Sequence, residues 1–231
     1  MQPEFPQRLH ELVERAKEIR RKSIIGVDPE EYTKQHLIEP LLQAVGYDSD
    51  DIRKEFHILG DQCDYLLETR RPLLFVEGNS LLDKSKDLFE AHREQVLRYL
   101  RNYRISPEQV AMERPVTWLL LTNFAQLHFV RVNEEKPSFS FRFDELEKRA
   151  DELWELLAPD RLESGRIEEL YDQQQKADLD QRFLVDLKQW DSFWPMPSVS
   201  PIRRLHSPNS PTPASNCSIV FSFVECSRRM A

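Results

Sequence analysis

The stretch "DYLLETRRPLLFVEGNS", residues 64–80, decides how the chain is read. Two short apolar runs flank a basic turn, and the second, Leu73 to Val76, stops at Glu77, Gly78 and Asn79. Apolar, β-favouring runs bounded by turn residues read as strands of a hairpin. A turn centred between Arg70 and Arg71 pairs residues equidistant from that point, which sets Asp64 opposite Glu77. Cα atoms of directly opposed residues in antiparallel strands lie roughly 4.5–5.5 Å apart. Two carboxylates at that spacing repel unless positive charge lies between them. A divalent cation meets that need, and hard oxygen donors suit magnesium or manganese. Asn79 shares the strand face of Glu77, because side chains alternate. The competing reading is an exposed hairpin whose two acids are simply solvated.

Outward from the hairpin, residues 6–22 carry Leu9, Leu12, Val13, Ala16 and Ile19 at helical spacing. A second helix opens at Asp28, with Pro29 in its first turn, Pro40 as a kink or irregularity, and Gly46 as its close. Glu31 falls in its first turn, either as the acid of a capping box with Asp28 or as a site residue. Residues 52–59 suit a strand, and 80–103 a long helix with Leu82, Phe89, Val96, Leu100 and Tyr103 on one stripe. On that helix Gln95 and Tyr99 share a face at i and i+4. Two strands follow in 115–132, the first apolar throughout and therefore central, and 139–143 offers a last one. Helices, three strands, a helix, then further strands make a mixed α/β sheet flanked by helices.

From 144 the pattern is helical: "DELEKRADELWELLAP", a charged connection, then "DLDQRFLVDLKQW". Six of the fifteen prolines fall between 195 and 213, and periodicity is lost there. The expected division is therefore 1–143 as the sheet domain, 144–194 as a helical connector, and 195–231 as a disordered Pro/Ser-rich tail.

The net charge is −8; the tail holds four arginines and one glutamate, +3, which leaves −11 for the remainder. Overall acidity argues weakly against nucleic acid, because a local basic groove can override it. No run approaches a membrane span, so no membrane partner is expected. Cys63, Cys217 and Cys226 form no metal-ligand pattern, which fits a reducing cytoplasmic setting. Trp118, Trp154 and Trp190 read as core, and Arg70 and Arg71 as solvated turn charges.

Asp64, then Glu77 two positions ahead of a key residue, then "QVLRY" at 95–99 resembles the PD-(D/E)xK nuclease superfamily in its QxxxY branch. "EEYTKQHLIEPLLQAVGY" (30–47) looks like the opening of restriction-enzyme nuclease domains, including those of type I restriction subunits. "LLLTNFAQLHFV" (119–130) is similar to a strand pair of type IIG restriction-modification enzymes, and residues 151–171 and 178–190 resemble their helical connector toward a methyltransferase domain. The resemblance spans about residues 28–191.

It implies a restriction-endonuclease-like fold and a magnesium- or manganese-dependent endonuclease acting on double-stranded DNA. Asp64 and Glu77 match the metal positions, Gln95 and Tyr99 the accessory pair, and Glu31 the helical acid. Two positions depart: Cys63 stands where a proline is expected, and Asn79 where a lysine positions the attacking water. Asn79 can orient water but carries no charge, so the implied site is impaired unless Lys84 or Lys86 substitutes. No glycine-rich loop for S-adenosylmethionine follows, and the chain reads as cut short before the methyltransferase domain. A catalytically inactive remnant that binds DNA or protein is the alternative.

Overall fold

In the computed structural model, residues 4–22, 28–105 and 115–193 are described. The expected tail, with its apolar patch "SIVFSF", lies outside the described residues. The strands β1 (Ile52–Ile58), β2 (Asp61–Glu68), β3 (Pro72–Gly78), β4 (Trp118–Thr122), β5 (Gln126–Arg131) and β6 (Phe139–Arg142) form one sheet in chain order. Neighbours are antiparallel except β3 and β4, which run parallel. The chain is thus mixed α/β, and β3 and β4 are its central strands.

Both sheet faces are covered, which explains the unbroken apolar run of β4. Leu74, Val76 and Leu120 enter one core cluster, while Phe75, Leu119 and Leu121 enter another on the opposite face. Helix α1 (Phe5–Arg21) buries Leu9, Leu12, Val13, Ala16 and Ile19 in the first cluster, as their spacing dictates. The second helix is broken into α2 (Pro29–Thr33), a π-helical turn over Lys34–Ile38, and α3 (Glu39–Val45). Pro40 accounts for the break, since it has no N–H to complete the regular ladder. Gly46 closes α3 at φ 115°, a left-handed conformation that favours glycine.

Helix α4 (Leu88–Arg104) covers the second face through Phe89, Val96, Leu100 and Tyr103. It begins eight residues later than its periodicity implies. Asp87 caps it by accepting from the Glu90 N–H, while Ser80 and Asp83 accept from the N–H groups of Leu82 and Ser85. These short side-chain bonds compete with helix and hold 80–87 as turns. Leu82 is therefore exposed rather than on the stripe, and Lys84 and Lys86 lie in the connection rather than on the helix.

Helices α5 (Ala150–Leu157), α6 (Pro159–Ser164) and α7 (Arg166–Phe193) complete the described chain. The charged connection is itself helical, and α7 runs on through the segment expected as a separate helix. No glycine or proline interrupts 166–193. The chain divides into two compact units, Met1–Phe183 and Leu184–Ala231. Within the first, Leu153, Trp154, Leu157, Leu162, Ile167 and Tyr171 share the cluster that α1 and the sheet build, so the core is continuous across residue 144. Trp118 is also buried there, whereas the Trp190 side chain lies outside the described residues.

Trp154 packs on Phe5 at 5.2 Å between ring centroids. Trp154→Ala should cost about 3–5 kcal/mol in urea unfolding, the range for truncating a buried aromatic. Leu179→Ser, on an exposed face of α7, should change it by under about 0.5 kcal/mol. A small loss for Trp154→Ala would mean that α5 does not belong to the sheet's core.

Candidate active site

The hairpin register holds as the symmetric turn implies: Tyr65 pairs with Val76, Leu66 with Phe75 and Leu67 with Leu74. A bulge at Leu67/Glu68 moves only the turn-side pair, Glu68 with Pro72. Arg71 is not a solvated charge, because its guanidinium donates to the carbonyls of Leu162 and Glu163. That bond ties the turn to α6, and Thr69 donates to the Glu163 carboxylate beside it.

At the other end of the hairpin, Asp64 and Glu77 line one cleft of about 370 Å³. Glu31, Lys34, Glu39, Lys54, Glu55, Gln62, Tyr65 and Tyr99 also line it, giving five carboxylates against two ammonium groups. Glu77 is only 7% exposed because β3 ends between β2 and β4, with α4 across it. Gln95 on α4 donates from Nε2 to Glu77 Oε1 at 2.7 Å and to Tyr99 Oη at 3.0 Å. Gln95 therefore meets Glu77, and Tyr99, one turn on, meets Gln95. Glu77 Oε2 finds no hydrogen-bond partner among the described residues.

Asp64 is held differently. Its Oδ2 accepts from the Gly78 N–H at 2.7 Å, and its Oδ1 lies 2.5 Å from Lys34 Nζ. Lys34 also donates to Glu30 Oε1 at 2.7 Å. Its stem lies against Gly78, where a Cβ would stand 2.9 Å from Ile38 Cδ1 and 3.1 Å from Lys34 Cγ. Glycine allows that approach with neither side chain displaced.

The remaining expected residues are less central. Glu31 lines the cleft but makes no capping box: Asp28 accepts from the Glu30 N–H, and Glu31 accepts from Gln35. Asn79 is buried, its N–H donates to the Thr122 carbonyl at 2.8 Å, and its Nδ2 finds no partner among the described residues. It is not among the residues lining the cleft, and neither Lys84 nor Lys86 is. Cys63, at the expected proline, is a buried thiol donating to the Val76 carbonyl at 3.2 Å, and burial pushes its pKa well up.

Lys34 and Glu30 were not singled out by sequence. One signal was present: Lys34 precedes Ile38 by four residues, so a lysine occupies the buried stripe of an amphipathic helix.

Burial is the largest influence on the carboxylates. Together with the nearby Asp64 charge it pushes Glu77 from 4.5 up to about 8, with Lys34 pulling the other way. Asp64 is also raised by burial, despite the hydrogen bonds from Lys34 and Gly78. Burial pulls Lys34 down, but its bonds to Asp64 and Glu30 outweigh that and hold its pKa above the ordinary lysine value. Lys34 thus keeps its proton beside Asp64.

A raised acid stays protonated in the folded chain while the unfolded chain has already ionised. Stability should therefore fall as pH climbs from 4.5 toward about 8, by at most a few kcal/mol at roughly 1.4 kcal/mol per pH unit. Without added cations, the melting temperature should decline across that range in wild type and much less in Glu77→Gln. Equal slopes would mean that Glu77 is not held neutral. Compared with protein-family models, curated proteins and solved structures, the chain matches none of them.

Proposed function

We propose that the chain is a DNA endonuclease domain of restriction type, hydrolysing phosphodiesters with magnesium or manganese. The observation that carries this reading is the cleft itself. Two carboxylates from adjacent strands line it, and Gln95 and Tyr99 brace one of them from the facing helix. The helix–three strands–helix–strands order, with one parallel pair inside an otherwise antiparallel sheet, supports a restriction-endonuclease-like fold. A reducing cytoplasm suits both the substrate and the buried free thiol of Cys63.

The donors fit a small hard cation. Asp64 and Glu77 offer oxygen ligands, Glu77 Oε2 has no partner among the described residues, and the cleft has more carboxylates than ammonium groups. Among the described residues no group of three His, Cys, Asp or Glu side chains converges on one point, so a cation held by Asp64 and Glu77 would need water or phosphate oxygens as its further ligands. Such a cation neutralises phosphate charge and generates hydroxide near neutral pH. Gln95 fixes the Glu77 rotamer, and the Gly78 N–H fixes Asp64.

The second reading, an inactive module that binds DNA or protein, is favoured by the uncharged Asn79 and by the ion pair that already engages Asp64. Plasmid nicking separates the two. Purified protein should nick supercoiled DNA with magnesium or manganese and not with EDTA. Asp64→Asn and Glu77→Gln should each lower the rate by about a hundred- to a thousand-fold while remaining folded by circular dichroism. A folded wild type that nicks with neither metal would leave the binding module as the function.

A further inference from the structure

We propose that Lys34 supplies the ammonium missing at position 79: it holds Asp64 until a divalent cation takes that carboxylate, then turns to the scissile phosphate. The inference rests on the nuclease reading and adds a residue that the strand pattern does not contain. Three observations converge on it.

Lys34 is the less exposed of the two lysines that line the cleft. Its side chain is 12% exposed, and it bridges Asp64 at 2.5 Å and Glu30 at 2.7 Å. The other cleft lysine, Lys54, is 59% exposed and pairs with Glu39. A lysine stem on the helix side of β3 needs a gap in the strand's side chains, and Gly78 provides it. At position 79, by contrast, the side chain is neutral, buried and outside the cleft lining.

The exchange follows from counting partners. Both Asp64 oxygens are engaged, one by Gly78 N–H and the other by Lys34. A cation binding Asp64 therefore competes with the ammonium, and Lys34 is freed when the cation wins. Glu30, its other partner, is 46% exposed, so the ammonium leaves Asp64 toward a solvent-facing carboxylate. The freed ammonium then neutralises a non-bridging phosphate oxygen as the attacking water forms its bond to phosphorus. One P–O ester bond breaks, one water proton passes to solvent, and the leaving oxygen takes a proton from solvent. Lys34 itself gains and loses none.

Two measurements with opposite signs test this. In Lys34→Met, Mn2+ affinity measured by calorimetry should rise by about three- to ten-fold, because the competing ammonium is gone. Plasmid cleavage should fall by about a hundred-fold or more, the loss expected for one preorganised charge-stabilising donor. A residue that only braced the fold would weaken both. Cleavage within about three-fold of wild type, or Mn2+ affinity unchanged or lowered, overturns the role of Lys34 and leaves the nuclease reading standing. Wild type that neither binds Mn2+ nor cleaves overturns both.

Should Lys34→Met fail to fold, the wild-type chain carries the test. The 15N-labelled Lys34 ammonium signal, assigned by its loss in Lys34→Arg, should move or broaden as Mg2+ is added. A signal unmoved while Mg2+ binds overturns the exchange.

Discussion

Desolvating two carboxylates at the end of a central strand is the constraint around which the cleft is organised. β3 is flanked by β2 and β4 and covered on both faces, so whatever follows its apolar run is taken out of water. A charge buried there without a partner costs several kcal/mol. Each acid is relieved by a different device. Asp64 receives a main-chain N–H and a lysine; Glu77 receives one amide and retains its proton to about 8. The second oxygen of Glu77 is left over. Buried polar atoms without a hydrogen bond are uncommon in folded chains.

Those devices come from segments far apart in the chain, and the packing explains how they arrive together. The helix that carries Lys34 lies on one sheet face and α4, which carries Gln95, on the other, with their apolar stripes in separate clusters. Glu77 therefore meets α4, whereas the Gly78 gap opens toward Ile38 and Lys34. Alternation along a single strand delivers consecutive residues to opposite layers. A site at a strand's end can then draw on both layers, provided that the residue facing the second one is small. Gly78 has that role, so the loss of a side chain there is as much a part of the cleft as the acids.

How much of this was legible depended on the range of the interaction. Strand pairing followed from turn symmetry, and the bulge at Leu67/Glu68 left the pairs from Tyr65 to Leu67 untouched. The α1 stripe and the Gln95–Tyr99 pair were legible because they need only one helix's geometry. The late start of α4 was not, because side-chain bonds from Ser80, Asp83 and Asp87 overrode an apolar pattern that continued through them. The Lys34–Asp64 pair spans thirty residues and joins a helix to a strand, so no local period announces it. The Glu31 capping box failed for a smaller reason: Asp28 accepted from the Glu30 N–H, and Glu31 was left to its neighbour Gln35.

The charge balance of the cleft bears on the order in which partners bind. The net charge of −8 is spread over the whole chain, and screening at physiological salt confines any one charge to about 8 Å. What a phosphate meets on entry is therefore the local set, five carboxylates with two ammonium groups, one of them already paired with Asp64. That set repels a polyanion and attracts a cation. On the endonuclease reading, a divalent ion must bind before the phosphate. An ion held by Asp64 and Glu77 would displace the Glu77 proton and leave Lys34 paired with Glu30 alone. On that reading, the field of the metal-free cleft would oppose a phosphate until the metal is bound.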